Sequence, residues 1–254
     1  MLTKALLGLP ASADAGLVLV LMLGGVIKGA IGVGLALVLV PLAAQFVAVP
    51  VAVALLSLPM LAANVRQALE AGGTLTALQR LAPILAALVL GTAIGAHLLV
   101  SVDRHALDIV VGTIFLSLAA MLLCLPRVRI SRRAERWAGP LVGLVAGLLG
   151  GVSAIFGPPL IAYEIGIGVD PATFIKHMAI LTLAATLALV LSLGGSGALS
   201  GSDLVISVAA IIPIQLGMPF GRWLRGRVPP VIFRAIVLCT LAWAGLDMLA
   251  RALF

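Results

Sequence analysis

Charge is scarce in this chain. Of its 254 residues only 10% are Asp, Glu, Lys or Arg, where a soluble domain averages about 25%. Acids are the scarcer sign, nine against sixteen bases. Cysteine is nearly absent: Cys124 and Cys239 are the only two, in no metal-ligand spacing, so a zinc module or disulfide scaffold is excluded. No Gly-x-x-x-x-Gly-Lys-Ser/Thr string occurs, which leaves an ATP-driven pump without support. Residues 1–15 hold one lysine and a short apolar run before Pro10, too little for a secretory leader; they are expected in the mature protein. Period-2 alternation is missing too, which argues against a β-barrel.

What is there is apolar. Hydrophobic residues make up 63% of the chain and the mean hydropathy is +1.28. A water-facing globule cannot hide that much apolar surface, so the solvent is a bilayer. Leu, Ala, Val and Ile fall in runs of helical length, which predicts an all-α polytopic membrane protein. The net charge of +7 does not point to nucleic acid. The arginines sit in short loops beside apolar spans, where they orient the protein in the membrane.

A glycine-broken apolar stretch occurs twice. Gly25, Gly29, Gly32 and Pro41 recur as Gly143, Gly147, Gly150 and Pro159 at a constant offset of 118. Further on, Gly91 and Gly95 recur as Gly217 and Gly221 at an offset of 126. The expected organisation is an N-terminal segment 1–14, a first repeat 15–126, an Arg-rich cytoplasmic hinge 127–137 and a second repeat 138–254. Apolar stretches fall at about 15–46, 50–69, 80–101, 106–125, 138–165, 173–194, 203–221 and 230–250, each near the roughly 20 residues a crossing needs.

Charge decides how the first stretch of each half behaves. If all eight cross, the two sides receive nine and six Lys/Arg. If 15–46 and 138–165 dip in and return, the sides receive twelve and three, with Lys28 at membrane depth. The second distribution obeys the positive-inside rule. It makes the halves inverted copies, each a re-entrant hairpin plus three transmembrane helices, with periplasmic termini in a bacterial inner membrane. Hairpin tips at membrane depth need a wet cavity or protein around them, and paired Gly-broken segments point to a transporter binding site.

Lys28-Gly29-Ala-Ile-Gly32-Val-Gly34 followed by Pro41-Leu42 resembles the first signature of the sulfite exporter TauE/SafE family of membrane permeases. Gly147-Leu-Leu-Gly150 with Gly157-Pro158-Pro159 resembles the second, and Asn64-Val-Arg66-Gln67 also fits. The second copy departs from the family pattern at Val152-Ser153-Ala154, where a third glycine is common. The resemblance implies a secondary transporter moving small anions, sulfite or organosulfonates foremost, with no cofactor.

The candidate substrate-binding residues are Lys28, Gly29, Gly32, Gly34, Asn64, Gln67, Gly150, Gly151, Ser153 and Gln215. Lys28 leads, because polar groups at membrane depth are costly and mark functional sites. Its competing role is an interfacial anchor. For Ser153 the competing role is a bond to its own backbone, and for Gly25/Gly29 and Gly91/Gly95 it is small-residue helix packing. Arg66 is expected to be an anchor at the cytoplasmic end. His177 is the candidate for proton coupling near neutral pH. Glu164 and Asp170 are expected at a solvated edge.

The function expected is export of a small sulfur anion by alternating access. Its alternatives are a carrier for another small anion and, remotely, an intramembrane serine protease using Ser153 with His97 or His177. The partners expected are that anion, the lipid bilayer and a proton, with no metal and no nucleic acid. Oligomeric state stays open, a homodimer among the options.

Overall fold

A computed structural model describes residues 12–31, 35–72, 75–124, 129–197, 201–224, 227 and 230–253. Among them are ten α-helices and no strand. In the first half these are α1 Ser12–Ile31, α2 Leu35–Ala43, α3 Val49–Ala71, α4 Leu75–Ser101 and α5 Arg104–Cys124. The second half follows the same order: α6 Arg132–Ser153, α7 Gly157–Ile167, α8 Pro171–Gly195, α9 Gly201–Leu224 and α10 Pro230–Leu253. Each half thus opens with a long helix and a short one of 9 or 11 residues, then three long ones. Seven of the ten are long and apolar enough to cross a membrane: α3, α4, α5, α6, α8, α9 and α10.

Local chemistry sets the ends of the second-half elements. Ser131 caps α6 by accepting from the Ala134 N–H, meeting a donor the first turn leaves free. Asp170 caps α8 by accepting from the Ala172 and Thr173 N–H groups, with Pro171 opening the helix. The Thr173 hydroxyl also donates to Asp170 and helps hold its carboxyl below the ordinary range. Asp170 is exposed, as expected of an edge residue. Gly168 ends α7 in the left-handed region, φ 71°.

Both long-short pairs fold back on themselves. Leu39 of α2 lies where a Cβ on Gly24 of α1 would be. Gly139 of α6 lies against the Tyr163 hydroxyl of α7, and the Ile130 N–H donates to the Gly166 carbonyl at 2.8 Å. The chain therefore enters α6 and leaves α7 at the same end of the hairpin. Although α6 has the length and composition of a full crossing, it belongs to a hairpin in this fold.

The helices pack mostly across the halves. The closest pairs are α4 with α6 and α1 with α9; α3 lies on α8 and α5 on α10. Also packed are α4 on α8 and α3 on α9. Exchanging the two halves carries this set of pairings onto itself: α4–α6 becomes α1–α9, α4–α8 becomes α3–α9, and α3–α8 and α5–α10 are unchanged. The glycines explain the first two. A Cβ on Gly25 or Gly29 would meet the carbonyl of Ile214 or Met218, and one on Gly217 or Gly221 that of Met22 or Val26. At the other crossing, Gly91 and Gly95 face the carbonyls of Leu144 and Leu148, while Gly143, Gly147 and Gly151 face those of Ile84, Leu88 and Thr92. Small residues let helix backbones touch, which is how helices associate when lipid removes the hydrophobic drive.

The outer surface is apolar. On α9 the exposed residues include Val205, Val208, Ile212, Leu216, Phe220 and Trp223, at steps of three and four that make one stripe. Such a stripe requires hydrocarbon around it, so this is a polytopic membrane protein.

Candidate substrate site

Polar side chains are few enough in the interior that their partners can be traced. Lys28 lies in the last turn of α1 and is only 4% exposed. Its ammonium donates to Asn64 Oδ1 of α3 at 2.5 Å. Asn64 in turn donates through Nδ2 to the Thr182 carbonyl at 3.2 Å and to Thr186 Oγ1 at 3.1 Å, both on α8. The Thr186 hydroxyl donates to the Thr182 carbonyl at 2.7 Å. Every polar atom of the Asn64 amide is engaged, which fixes the orientation of its oxygen towards Lys28. The ammonium has three donors, and Asn64 accepts one.

Lys28, Asn64 and Thr182 line a cavity of about 40 Å³, room for a few waters or one small anion, since a single water needs about 10–15 Å³ on this measure. Its walls come from both chain breaks: Leu35 to Leu37 at the start of α2, and Ala154 to Gly157 at the α6–α7 turn. Phe156 is the N-cap residue of α7, and no side chain caps that helix. Pro158 and Pro159 carry no N–H at all. The main-chain donors left at this helix start are therefore the N–H groups of Phe156 and Gly157, both in the cavity wall. A helix N-terminus favours an anion, as does the ammonium. The arrangement can hold a small anion by positive potential and hydrogen-bond donors together.

The turn itself is unusual. Ala154 takes φ 58°, the one described non-glycine residue in the left-handed region, and it closes the Val152–Ala154 stretch that departs from the family pattern. Gly150 makes room for Phe156, whose ring occupies the space a Cβ would take.

The remaining candidates fall elsewhere. Gly29 and Gly151 sit in the two glycine crossings. The Ser153 hydroxyl donates to the Leu149 carbonyl at 2.7 Å and accepts from the Ile155 N–H at 3.3 Å. Gln67 is buried on α3 and its Oε1 has no partner among the described residues. Gln215 accepts from Arg66 at 3.2 Å. Arg66 also pairs with Glu70 at 3.0 Å, and Glu70 with Arg222 of α9, so these charges tie α3 to α9. Gly32 and Gly34 lie outside the described residues.

His177 is buried and its Nδ1 is 2.8 Å from Glu164 Oε2. The expectation for Glu164 is overturned: it has no exposed surface at all, because α7 turns that face inward against α8. Thr182 and Thr186, unnoticed in the sequence, hold Asn64 in place. Their four-residue spacing, which puts them on one helix face, was the available signal. No group of three or more His, Cys, Asp or Glu among the described residues is placed to hold a metal ion.

A bundle of this kind, broken twice around a buried cation, is a membrane transporter. Residues 17–248 match the family described as sulfite exporter TauE/SafE. The chain belongs to that family, and it is a transporter rather than an enzyme. Comparison with curated proteins and with solved structures gives no match. The serine-protease alternative falls with this assignment, and the geometry agrees, since Ser153 is bonded to backbone and His177 to Glu164.

Proposed function

We propose that the protein exports sulfite or a small organosulfonate, bound in the cavity by the Lys28 ammonium and the main-chain N–H groups at the start of α7. The observation that carries this reading is a lysine 4% exposed with no carboxylate partner among the described residues, facing a cavity whose walls come from both breaks. A buried cation without a counter-ion is costly, and an anionic substrate supplies the missing charge. Asn64 positions the ammonium rather than neutralising it. A pyramidal or tetrahedral sulfur oxyanion offers several acceptor oxygens to donors arriving from two sides.

In this reading the halves are inverted repeats whose hairpins α1–α2 and α6–α7 are re-entrant. The cross-half pairings fit such a pseudo-symmetric build. Alternating access then exposes the cavity first to one face of the membrane and then to the other. The hinge is cytoplasmic, the termini are periplasmic, and export into the periplasm follows the family description.

The test is a thermal-shift scan of the purified protein against sulfite, sulfoacetate, taurine, sulfate, acetate and chloride, with Lys28→Gln beside it. A ligand that binds only the folded state raises apparent stability. Stabilisation by sulfite or a sulfonate, absent in the variant, is expected. Stabilisation by acetate alone would keep a carrier and remove the sulfur assignment.

A further inference from the structure

Glu164 and His177 form a buried acid–imidazole pair that the anion site does not use. Glu164 is 0% and His177 3% exposed, with Nδ1 and Oε2 2.8 Å apart. Glu164 Oε1 is buried and has no partner among the described residues. Buried polar atoms are nearly always satisfied, and an exception asks for an explanation. A structural ion pair would have both oxygens bonded, because a lone lone-pair in low dielectric gives up stability for nothing.

The location is informative. Glu164 lies seven residues along α7 from Gly157, nearly two full turns, so it shares that helix face and stands about 10 Å from the cavity along the axis. His177 lies five residues before Thr182 on α8, about 7.5 Å along that helix. Beyond the pair the chain reaches the exposed turn at Gly168 and Asp170. The pair therefore sits between the cavity and water, on the two helices that carry Gly157 and Thr182 of the cavity wall.

We propose that the Glu164–His177 pair is the site of a coupled proton, a reading that rests on the carrier function above. With Glu164 ionised and His177 neutral the pair carries one negative charge. One proton from water, taken on Oε1 or on the imidazole, makes it neutral overall. That proton returns to water on the opposite side once the carrier has turned over, and no bond to the anion is made or broken. A change of access that opens the pair to the other face of the membrane lets the proton leave on that side. Proton occupancy is thereby tied to the state of access.

Most charges around the pair are engaged elsewhere. On α7 the Tyr163 hydroxyl faces Gly139. On α6 and α4, Glu135 and Arg80 pair with each other at 3.0 Å. On α3, Arg66 and Glu70 pair with each other and with Arg222. Lys176 is the neighbour on α8, and α5 carries no ionisable side chain from 109 to 123. Among the described residues the side-chain partner of each of His177 and Glu164 is the other.

The experiment uses the full chain in proteoliposomes, with labelled sulfite as the probe and a trapped pH dye. Counterflow at equal pH reports the anion site; accumulation driven by a pH gradient reports coupling. Sulfite's own protonation is the same for every variant, so differences between variants belong to the protein. Glu164→Gln, which keeps shape and a hydrogen bond to His177, is expected to retain counterflow and to lose gradient-driven accumulation and dye response. His177→Asn should do the same, and decides alone if Glu164→Gln does not fold. Gradient-driven accumulation unchanged in a folded variant overturns the proposal. So does a wild-type protein that performs counterflow and moves no proton. A wild-type protein that performs no counterflow overturns the carrier reading instead.

Discussion

At the scale of single residues, Lys28 and Ala154 carry the sharpest consequences. A hydrogen bond to a charged group is worth about 1.5–3 kcal/mol net, so Lys28→Gln should weaken the stabilising anion by roughly 10- to 100-fold. Isothermal titration on the two proteins measures it. Asn64→Leu should be harsher on the fold than on charge. It strips the Lys28 ammonium of its acceptor and removes the donors to Thr182 and Thr186. An apparent melting temperature lowered by the equivalent of about 1–3 kcal/mol is expected. Ala154 holds a backbone conformation that costs an L-residue about 1–2 kcal/mol. Ala154→Gly should therefore match or exceed the wild type in melting temperature, and Ala154→Val should fall below it, because β-branching makes that conformation worse. Equal melting of all three would mean that the turn relaxes in solution.

Elements make their claims through the glycine crossings. Gly29→Ala drives a Cβ into the Met218 carbonyl and Gly147→Ala into that of Leu88. Backbone cannot yield as a side-chain tip can, so each should cost about 1–3 kcal/mol, the usual range for overpacking. Because the crossings correspond under exchange of the halves, the two losses should be similar. A loss at one site only would argue that the crossings are not equivalent. The same glycines show what was legible beforehand. Their offsets of 118 and 126 could be read as a repeat, since Gly spacing survives in one dimension. Which helix each glycine touches could not, because the partner of α1 lies in the other half. Lys28 and Asn64 were legible as candidates on the physical ground that polarity inside a bilayer is rare. Their direct contact was not, nor was the burial of Glu164, which with Asp170 read as a solvated edge at the return of the second hairpin. Ser153 looked like a donor for substrate; at a helix end its hydroxyl finds backbone first.

For the whole molecule the open question is which ends share a side of the membrane. In a protein with Cys124 and Cys239 replaced by Ala, new cysteines at exposed Arg133, Ala172 and His105 can be labelled with a membrane-impermeant reagent. Arg133→Cys and Ala172→Cys should react from one face and His105→Cys from the other. Reaction of the first two from opposite faces would mean that α6 crosses fully and the hairpin is not re-entrant. The Arg66–Glu70–Arg222 cluster joins α3 of one half to α9 of the other. Its members are partly exposed, so Glu70→Gln should shift stability by no more than about 1 kcal/mol. A change in turnover in that variant, at nearly unchanged melting temperature, would identify the cluster as a latch between access states.

The pairing of α1 with α9 has a further consequence, for how the chain is made. When α1 leaves the ribosome its glycine face has no partner, and none exists until the chain from Ile31 to Gly201 has followed. At about 5–20 residues per second that interval is on the order of ten to thirty seconds. Throughout it, an apolar helix with a lysine near its end must wait in the insertion machinery or at the membrane surface. Its counterpart in the second half, α6, meets no such delay, because α4 has already been synthesised when α6 arrives. Two crossings built alike are thus assembled in opposite order, and the newborn protein is most vulnerable at its first helix.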